Sequence, residues 1–325
     1  MDAATTAALE IEVDLATIRA AHARIRPHVH RTPVLSSRSL DAVAGATLFF
    51  KCENLQKIGA FKARGACNAV FSLNEDQAGR GVVTHSSGNH GAAVAWAAAR
   101  RGIPAWVVMP GNSAQVKKAA VQGLGATVRF CAPTLEARDT TCAALQAETG
   151  ATLIHPYDDW RVIAGQGTAA LEFLDEVPDL DAVITPVGGG GLLSGTAIAV
   201  RSIKPSLGVY GAEPAGADDA WRSLKSGHLV PQTDPRTIAD GLRSSLGAKT
   251  FAVLSSCVDA IGTTSEEAIV QAMRLTWDKL KLIIEPSSAV PLAALLERKL
   301  PVAGRRVGIV LSGGNVDLDR LPWQH

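Results

Sequence analysis

Short apolar runs alternate along this chain with longer segments, several of which end at a glycine. The apolar runs predict strands and the longer segments predict helices. The predicted strands cover residues 81–84, 105–109, 126–131, 181–187, 207–211 and 306–311. The predicted helices cover residues 91–100, 114–124, 135–148 and 193–203. Because strand and helix follow each other repeatedly, the pattern predicts βαβ units, and therefore parallel sheets with helices on both faces.

Four loops that follow predicted strands are rich in glycine and small polar residues. In sheets of this kind, ligands bind at the carboxyl ends of the strands. Small residues also allow backbone N–H groups to approach a ligand closely. The candidate ligand-binding loops are His85–Gly91, Gly188–Gly191, Ala212–Pro214 and Ser312–Asn315.

The glycine run Gly188–Gly191 lies between a predicted strand and a predicted helix. Free N–H groups at a helix N-terminus form an anion site that suits phosphate. A tight turn is the simpler interpretation, but four glycines exceed what a turn needs, and each costs backbone entropy. We therefore expect a phosphate site.

The sequence leaves two phosphate ligands open. The spacing Gly189-x-Gly191-x-x-Ser194 nearly matches the dinucleotide fingerprint, and Glu213 ends the next strand, where a ribose-binding acid would lie. A nicotinamide-dependent oxidoreductase is therefore an alternative, although it leaves the earlier strand–helix units unexplained. Residues 247–250 lack the Gly-Lys pair of a P-loop, and the sequence has no G-x-S-x-G elbow of an α/β-hydrolase.

Composition narrows the class of protein. The 325 residues are 47% hydrophobic and 19% charged with a net charge of +1, so neither disorder nor a nucleic-acid partner is expected. Residues 1–13 lack the pattern of a signal peptide, and no apolar stretch reaches the length of a membrane span. Five cysteines without a C-x-x-C pair favour a reducing compartment. We therefore expect a cytoplasmic protein.

Lys62 lies in the most informative segment of the chain. A lysine is by default a solvated surface charge, but Ile58, Ala60, Phe61 and Ala63 surround this one in sequence. Burial among them would disfavour the ammonium form and lower its pKa. A neutral amine is what Schiff-base chemistry requires.

Together these segments resemble the fold-type II pyridoxal-phosphate (PLP) enzymes, specifically the threonine dehydratase and serine racemase branch, which includes 3-hydroxyaspartate dehydratases. The resemblance runs from about Arg31 to Asp317. The motifs that carry it, in the family's order, are Lys51–Asn54, Phe61–Ala66, Ser86–Gly91, Gly188–Gly191 and Ser312–Asn315.

The resemblance implies a role for each motif. Lys62 would bind the cofactor covalently and then move the α-proton, and Phe61 would stack near the pyridine ring. Asn89 would hydrogen-bond the ring's 3-oxygen, and Ser312 would meet the pyridine nitrogen. The other implied cofactor contacts are Gly188, Gly189, Gly190, Gly191 and Glu285. The implied substrate-carboxylate contacts are Ser86, Ser87, Asn89 and His90.

The resemblance also implies the reaction, a β-elimination in which a small 3-hydroxy amino acid loses water and then ammonia. A neutral Ser312 opposite the pyridine nitrogen favours rapid loss of a β-hydroxyl, because it stabilises negative charge at Cα less than an Asp would. Racemisation is the main alternative, since Ser87 is where racemases place a second acid/base, on the ring face opposite Lys62.

Two further groups of residues bear on metal and substrate. The segment Glu213–Asp219 resembles the branch's divalent-metal loop, in which Glu213, Asp219 and the Ala217 carbonyl would bind Mg²⁺, Mn²⁺ or Ca²⁺. An acidic surface loop is the alternative. Arg138, at the start of a predicted helix, would bind a side-chain carboxylate and favour 3-hydroxyaspartate, unless it is a solvated first-turn arginine.

The resemblance implies an α/β architecture of two open doubly wound sheets, similar to tryptophan synthase β. The cofactor would lie between a large domain, residues 1–80 and 159–325, and a small inserted domain, residues 81–158. A homodimer is expected on the same basis. The chain ends soon after Ser312, so we expect no regulatory domain and no feedback inhibition by isoleucine.

Overall fold

The computed structural model describes residues 9–86, 88–113 and 115–324. Ten strands in these ranges form two sheets, one of six strands and one of four. None of the helices in the same ranges is long and apolar enough to cross a membrane.

The larger sheet is parallel except at one edge. Its strands, in spatial order, are β1 (Val34–Ser36), β2 (Thr47–Lys51), β10 (Arg306–Val310), β7 (Ala182–Pro186), β8 (Gly208–Pro214) and β9 (Ala260–Thr264). Only β1 and β2 pair antiparallel. The carboxyl ends of β10, β7 and β8 therefore meet at one edge. Candidate loops follow β10 and β7, whereas Ala212–Pro214, expected to be a loop, forms the last residues of β8.

The smaller sheet is parallel throughout. Its strands, in spatial order, are β5 (Thr127–Cys131), β4 (Ala105–Pro110), β3 (Val82–His85) and β6 (Thr152–Leu153). The loop that begins at Ser86 therefore leaves the carboxyl end of a central strand.

Helices cover both sheets and join their strands. The first seven are α1 (Leu15–Ile25), α2 (Arg38–Ala44), α3 (Lys62–Phe71), α4 (Glu75–Arg80), α5 (Asn89–Arg101), α6 (Gln115–Gly123) and α7 (Leu135–Thr149). The others are α8 (Trp160–Glu176), α9 (Gly191–Ile203), α10 (Asp219–Ser226), α11 (Ala248–Cys257), α12 (Glu266–Leu280) and α13 (Pro286–Leu296). Short 3₁₀ turns lie at Glu53–Leu55, Lys57–Gly59 and Asp240–Leu242.

The fold class predicted from the sequence is confirmed. Every predicted strand and helix is present, with ends displaced by at most three residues. The sequence pattern missed β1, β2, β6, β9 and the helices outside the predicted set. The structure also shows all five cysteines as free thiols, as expected.

The domain boundaries predicted at residues 81 and 158 stay a prediction. The strands of the smaller sheet do lie between these residues, and those of the larger sheet lie outside them. The core beneath the smaller sheet, however, draws Ala66, Cys67, Ala69 and Val70 from α3. Helix α3 is thus shared between the two halves of the molecule.

Helices α3 and α8 cross with their backbones in close approach. A Cβ atom built on Gly165 would lie 2.6 Å from the Cα of Gly65 and 2.7 Å from the carbonyl oxygen of Arg64. A Cβ atom on Gly65 would overlap the side chain of Gln166. Glycine at both positions is what allows the two helices to pack at this distance.

We expect Gly165→Ala to destabilise the protein by about 1–3 kcal/mol, because the added methyl group meets backbone rather than a movable side chain. The midpoint of urea unfolding would measure this. Gly79→Ala is the matched control, since no atom lies within 4 Å of a Cβ there. That change should stabilise its helix by about 0.5–1 kcal/mol, and equal effects of the two substitutions would contradict the prediction.

Candidate active site

Lys62 is the first residue of α3, and its amine faces the gap between the two sheets. Its Nζ donates a hydrogen bond to the carbonyl oxygen of Pro156 at 2.7 Å and lies 5.2 Å from the centroid of the Phe61 ring. Burial lowers the pKa of Lys62 to about 8, against an opposing effect of the Glu285 carboxylate. An amine with this pKa is still mostly protonated at pH 7, but its neutral fraction is far larger than that of an ordinary lysine, which is the direction that the sequence predicted.

Ser312 lies beside this lysine. The N–H of Phe61 donates to the Ser312 carbonyl oxygen at 2.9 Å, and Ala60 forms a β-bridge with Gly313. The Ser312 hydroxyl is buried 3.1 Å from the Ser288 hydroxyl, which itself donates to the Gly313 carbonyl at 2.6 Å. Because the Ser288 hydrogen is used by Gly313, the Ser312 hydroxyl donates to Ser288 here, and a ligand nitrogen would have to receive that hydrogen in place of Ser288.

The loop after β3 brings Asn89 and His90 to the first turn of α5. The Asn89 amide donates to both carboxylate oxygens of Glu285, each at 3.1 Å, and its oxygen accepts from Asn315 at 2.9 Å. Burial keeps the pKa of His90 well below its ordinary value, and its Nε2 lies 3.1 Å from the Ile154 carbonyl oxygen. His90 is therefore neutral.

The two serines of this loop differ in what the structure describes. The Ser86 Oγ accepts a hydrogen bond from the N–H of Gly88 at 3.2 Å, immediately before α5. Ser87, predicted as the second acid/base, lies outside the described residues.

The glycine run forms a ready-made anion cradle. Gly188–Gly191 is buried between β7 and α9, and Gly190 has a φ of +85°. Within the described part of the chain, no atom accepts a hydrogen bond from the four N–H groups of this run. Buried N–H groups are almost always paired, so four unpaired ones at a helix N-terminus fit a bound phosphate.

Packing explains why this run is all glycine. A Cβ atom on Gly189 would overlap the ring of Tyr157, and one on Gly190 would lie 2.8 Å from the Leu246 side chain. The glycines therefore serve close packing and N–H exposure together, so the turn and phosphate interpretations are not exclusive.

Tyr157 and Pro156 are site residues that the sequence analysis missed. Pro156 binds the Lys62 amine, and Tyr157 covers the glycine run and packs edge-on against His155 at 4.7 Å. These residues follow β6, so the rule that ligands bind at strand ends would have found them. Because β6 is only two residues long, it left no recognisable apolar run.

Arg138 lies in the first turn of α7, on the side of the smaller sheet. Its Nε is buried and finds no hydrogen-bond partner among the described residues. Its positive charge helps to lower the pKa of His85, after burial, which is the larger cause. Asp139, the next residue, lies 3.7 Å from the His85 Nε2. The guanidinium therefore points towards the carboxyl end of β3.

Glu213 and Asp219 bring two buried carboxylates together beyond the glycine run. The Glu213 oxygens accept from the N–H groups of Ala220 at 3.1 Å and Trp221 at 2.8 Å, and one Asp219 oxygen accepts from Leu246 at 2.9 Å. The other Asp219 oxygen is buried without a partner among the described residues. Burial raises the pKa of Asp219 to about 6 and, with the charge of Asp219, raises that of Glu213 well above its ordinary value.

Comparison with known proteins distinguishes the two phosphate ligands that the sequence left open. The model of the family described as pyridoxal-phosphate dependent enzyme matches residues 25–313. The chain belongs to this family. In PLP enzymes the bound phosphate is part of the cofactor, so this comparison rules out the dinucleotide alternative. The geometry agrees, because both oxygens of Glu213 already accept hydrogen bonds from α10 and are not directed at a ribose.

Three relatives define the branch of the family. The chain is 51% identical to beta-hydroxyaspartate dehydratase of Paracoccus denitrificans, over 94% of this chain and 96% of that one. The crystal structure of serine racemase from Dictyostelium discoideum matches with a TM-score of 0.90 and 51% identity, over 94% and 99%. The crystal structure of a threonine deaminase from T.th. matches with a TM-score of 0.89 and 46% identity, over 95% and 100%. The chain is thus a fold-type II PLP enzyme, a dehydratase or a racemase.

The lowered pKa of Lys62 predicts how the apoprotein captures PLP. Only the neutral amine attacks an aldehyde, so the capture rate should rise with pH through a midpoint of about 8 rather than 10.5. Removing the Glu285 charge removes the effect that favours the ammonium, so Glu285→Gln should move the midpoint lower. The growth of the visible absorption band after mixing measures the rate. Glu267→Gln, on the exposed face of α12, is the control, and an unchanged or higher midpoint in Glu285→Gln would contradict the prediction.

Proposed function

We propose that the protein removes water and then ammonia from a small 3-hydroxy amino acid to give a 2-keto acid. The observation that carries this proposal is the Ser312 hydroxyl, which is buried and neutral and would turn its hydrogen from Ser288 to the pyridine nitrogen, where the resemblance puts that nitrogen. When bound, PLP supplies the electron sink that allows a proton to leave Cα. A neutral hydrogen bond strengthens that sink less than a carboxylate would, which favours prompt departure of a β-hydroxyl.

Lys62 supplies the base for this reaction. An amine with a pKa of about 8 both accepts and returns a proton near neutral pH. Its contact with the Pro156 carbonyl holds the amine at one point in the gap between the sheets. We assign to Lys62 the covalent attachment of PLP and the transfer of the α-proton.

The substrate carboxylate would lie at the first turn of α5. Ser86, Asn89 and His90 converge there, and a helix N-terminus favours a negative group. The neutral His90 side chain faces the Ile154 carbonyl through Nε2, so its Nδ1 is an acceptor. We therefore assign the contact of His90 with the carboxylate to its backbone N–H in the first turn of the helix. We include Ser87 in this group on the resemblance alone. The glycine run at the start of α9 would hold the cofactor phosphate.

Arg138 supports a substrate with a second carboxylate. A buried guanidinium nitrogen without a partner is costly, and a bidentate carboxylate would satisfy it. The 51% identity to a beta-hydroxyaspartate dehydratase supports the same choice. We therefore propose a 3-hydroxyaspartate rather than serine or threonine as the preferred substrate.

An assay of keto-acid release from L-serine, L-threonine and the isomers of 3-hydroxyaspartate tests this function. Arg138→Met should lower kcat/KM for 3-hydroxyaspartate by about 10- to 100-fold, the worth of one charge-assisted hydrogen bond, and leave serine nearly unaffected. Lys62→Ala should abolish both the absorption band and turnover. Arg129→Met, an exposed arginine on β5, is the control for loss of a positive charge. Equal losses for both substrates would remove Arg138 from substrate selection.

Racemisation is the second candidate, because the chain is 50% identical to a serine racemase of Dictyostelium discoideum. It needs a second proton donor on the face opposite Lys62, and Ser87 is the proposed one. Chiral analysis of the amino acid that remains in the same assay separates the two reactions. Enantiomer formation without keto acid, lost in Ser87→Ala, would replace the proposed elimination.

We also propose that Glu213, Asp219 and the Ala217 carbonyl bind a divalent cation. No third acid, histidine or cysteine joins this pair within the described ranges, so water would complete the shell of hard oxygen ligands. The unpartnered Asp219 oxygen fits this use. The cation would stabilise the loop rather than take part in the proton transfers.

Adding Mg²⁺, Mn²⁺ or Ca²⁺ to metal-free protein should therefore raise its thermal midpoint. At a cation concentration of 100 times the Kd, the free energy of unfolding should rise by about 2.7 kcal/mol. Burial disfavours the negative charge of both acids and so raises their pKa values, and a bound cation would offset that charge. Asp219→Asn should lose the effect, and Asp234→Asn, in an exposed ion pair, should keep it. A metal response that survives in Asp219→Asn would place the site elsewhere.

A further inference from the structure

Four charged side chains lie inside the protein, close to the start of α3. Arg64, Lys51 and Glu53 are fully buried, and Glu172 is 4% exposed. Lys51, Glu53 and Arg64 belong to two of the sequence motifs, yet the proposed reaction gives them no role. We call these four residues the Arg64 cluster.

Arg64 makes two forked ion pairs within this cluster. Its Nε and Nη2 donate to the two oxygens of Glu53 at 2.7 and 2.8 Å. Its Nη1 and Nη2 donate to the two oxygens of Glu172 at 2.8 and 2.7 Å. A planar guanidinium fits two carboxylates in this way, whereas the single ammonium of a lysine does not.

Lys51 and a threonine complete the cluster. The Lys51 Nζ donates to Glu172 at 2.9 Å and to the Thr32 carbonyl oxygen at 2.7 Å. The Thr32 hydroxyl donates to Glu53 at 2.5 Å. Two positive and two negative charges thus balance. Burial would raise the pKa of Glu172, but hydrogen bonds from His22 and Arg64 hold it well below its ordinary value.

The cluster joins separate elements at the point where α3 begins. Lys51 ends β2, Glu53 lies in the turn after it, and Glu172 comes from α8. Arg64 follows Lys62 by two residues in the first turn of α3. No side chain caps that turn, so the forked pairs of Arg64 fix the start of the helix in place of a cap.

A buried ionic cluster is a poor means of gaining stability. Well-packed apolar residues of similar volume are often as stabilising, because burial of charges costs desolvation energy. What the charges add is direction, since each fork satisfies both carboxylate oxygens in only one orientation. Any rotation or sliding of the first turn of α3 would break several of these bonds at once.

We propose that Arg64 is a positioning residue for Lys62, and that the Arg64 cluster sets where the lysine amine meets the cofactor and the substrate Cα. This inference rests on the proposed role of Lys62 in attachment of PLP and in proton transfer. Loss of the cluster's geometry then displaces the amine while leaving the substrate-carboxylate contacts on α5 in place.

Two variants test the proposal. Arg64→Lys keeps the charge but loses the fork, and Glu53→Gln keeps the shape but loses one negative charge, so the second serves if the first fails to fold. Asp175→Asn is the matched control, because Asp175 lies on α8 one turn from Glu172 but pairs with Arg31 at the surface. Each variant is reconstituted with PLP, and the fraction of bound cofactor is measured from absorbance.

We expect at least one of the two cluster variants to show a tenfold or greater fall both in kcat per bound cofactor and in the rate of PLP capture by the apoprotein. KM should stay within about twofold, since a displaced lysine leaves substrate binding intact. If both rates per folded protein match wild type and only the thermal midpoint falls, the cluster is merely structural and the proposal is wrong. If wild type releases no keto acid but the capture rate still falls, the proposed reaction fails and the positioning role stands.

Discussion

The crossing of α3 over α8 is the constraint on which the site depends. Gly65 and Gly165 let the two backbones meet, and the Arg64 cluster beside them fills the remaining space with paired charges. Helix α3 begins with Lys62 and packs its other face beneath the smaller sheet. One helix therefore ties Lys62 to the core of the larger sheet and to the support of the smaller one.

The electrostatic character of the site follows from this arrangement. On one side, the glycine run presents N–H donors that no described residue accepts. On the other side, burial lowers the pKa of the Lys62 amine to about 8. Glu285 supplies negative charge close to the lysine, and the Asn89 amide spans both of its oxygens. The free N–H donors of the glycine run would suit an anion, and the lowered pKa of Lys62 lessens the positive charge held near them.

The sequence predicted the elements whose periodicity is local. Strands between glycine-ended helices were recognisable because each is one short apolar run bounded by turn residues. Helix α8 was not, because most of its residues are buried and its Gly165 and Gly167 are poor helix formers. Strand β1 was missed for another reason. It has only three residues and is defined by its antiparallel pairing with β2, which lies more than ten positions further along the chain.

The residues of the candidate site likewise include some that local sequence predicted and others that it missed. Lys62, Asn89, the glycine run and Ser312 were predicted because each lies in a motif or directly after a strand. Pro156, which accepts from Lys62, and Ser288, which contacts Ser312, were not predicted, because they meet these residues only through long-range folding. No local pattern marks a carbonyl oxygen that receives a lysine amine 94 residues away.

The glycine crossing has a consequence for how such an enzyme diverges. A methyl group added at Gly165 meets the backbone of α3, and one added at Gly65 meets side chains of α8, so substitutions at this crossing are expected to destabilise the frame that holds Lys62. Arg138, in contrast, lies on α7 beside the smaller sheet, outside the contact between α3 and α8. With the role proposed for Arg138, a change of substrate preference is therefore expected to arise at such a position and to leave the helices that hold Lys62 unaltered.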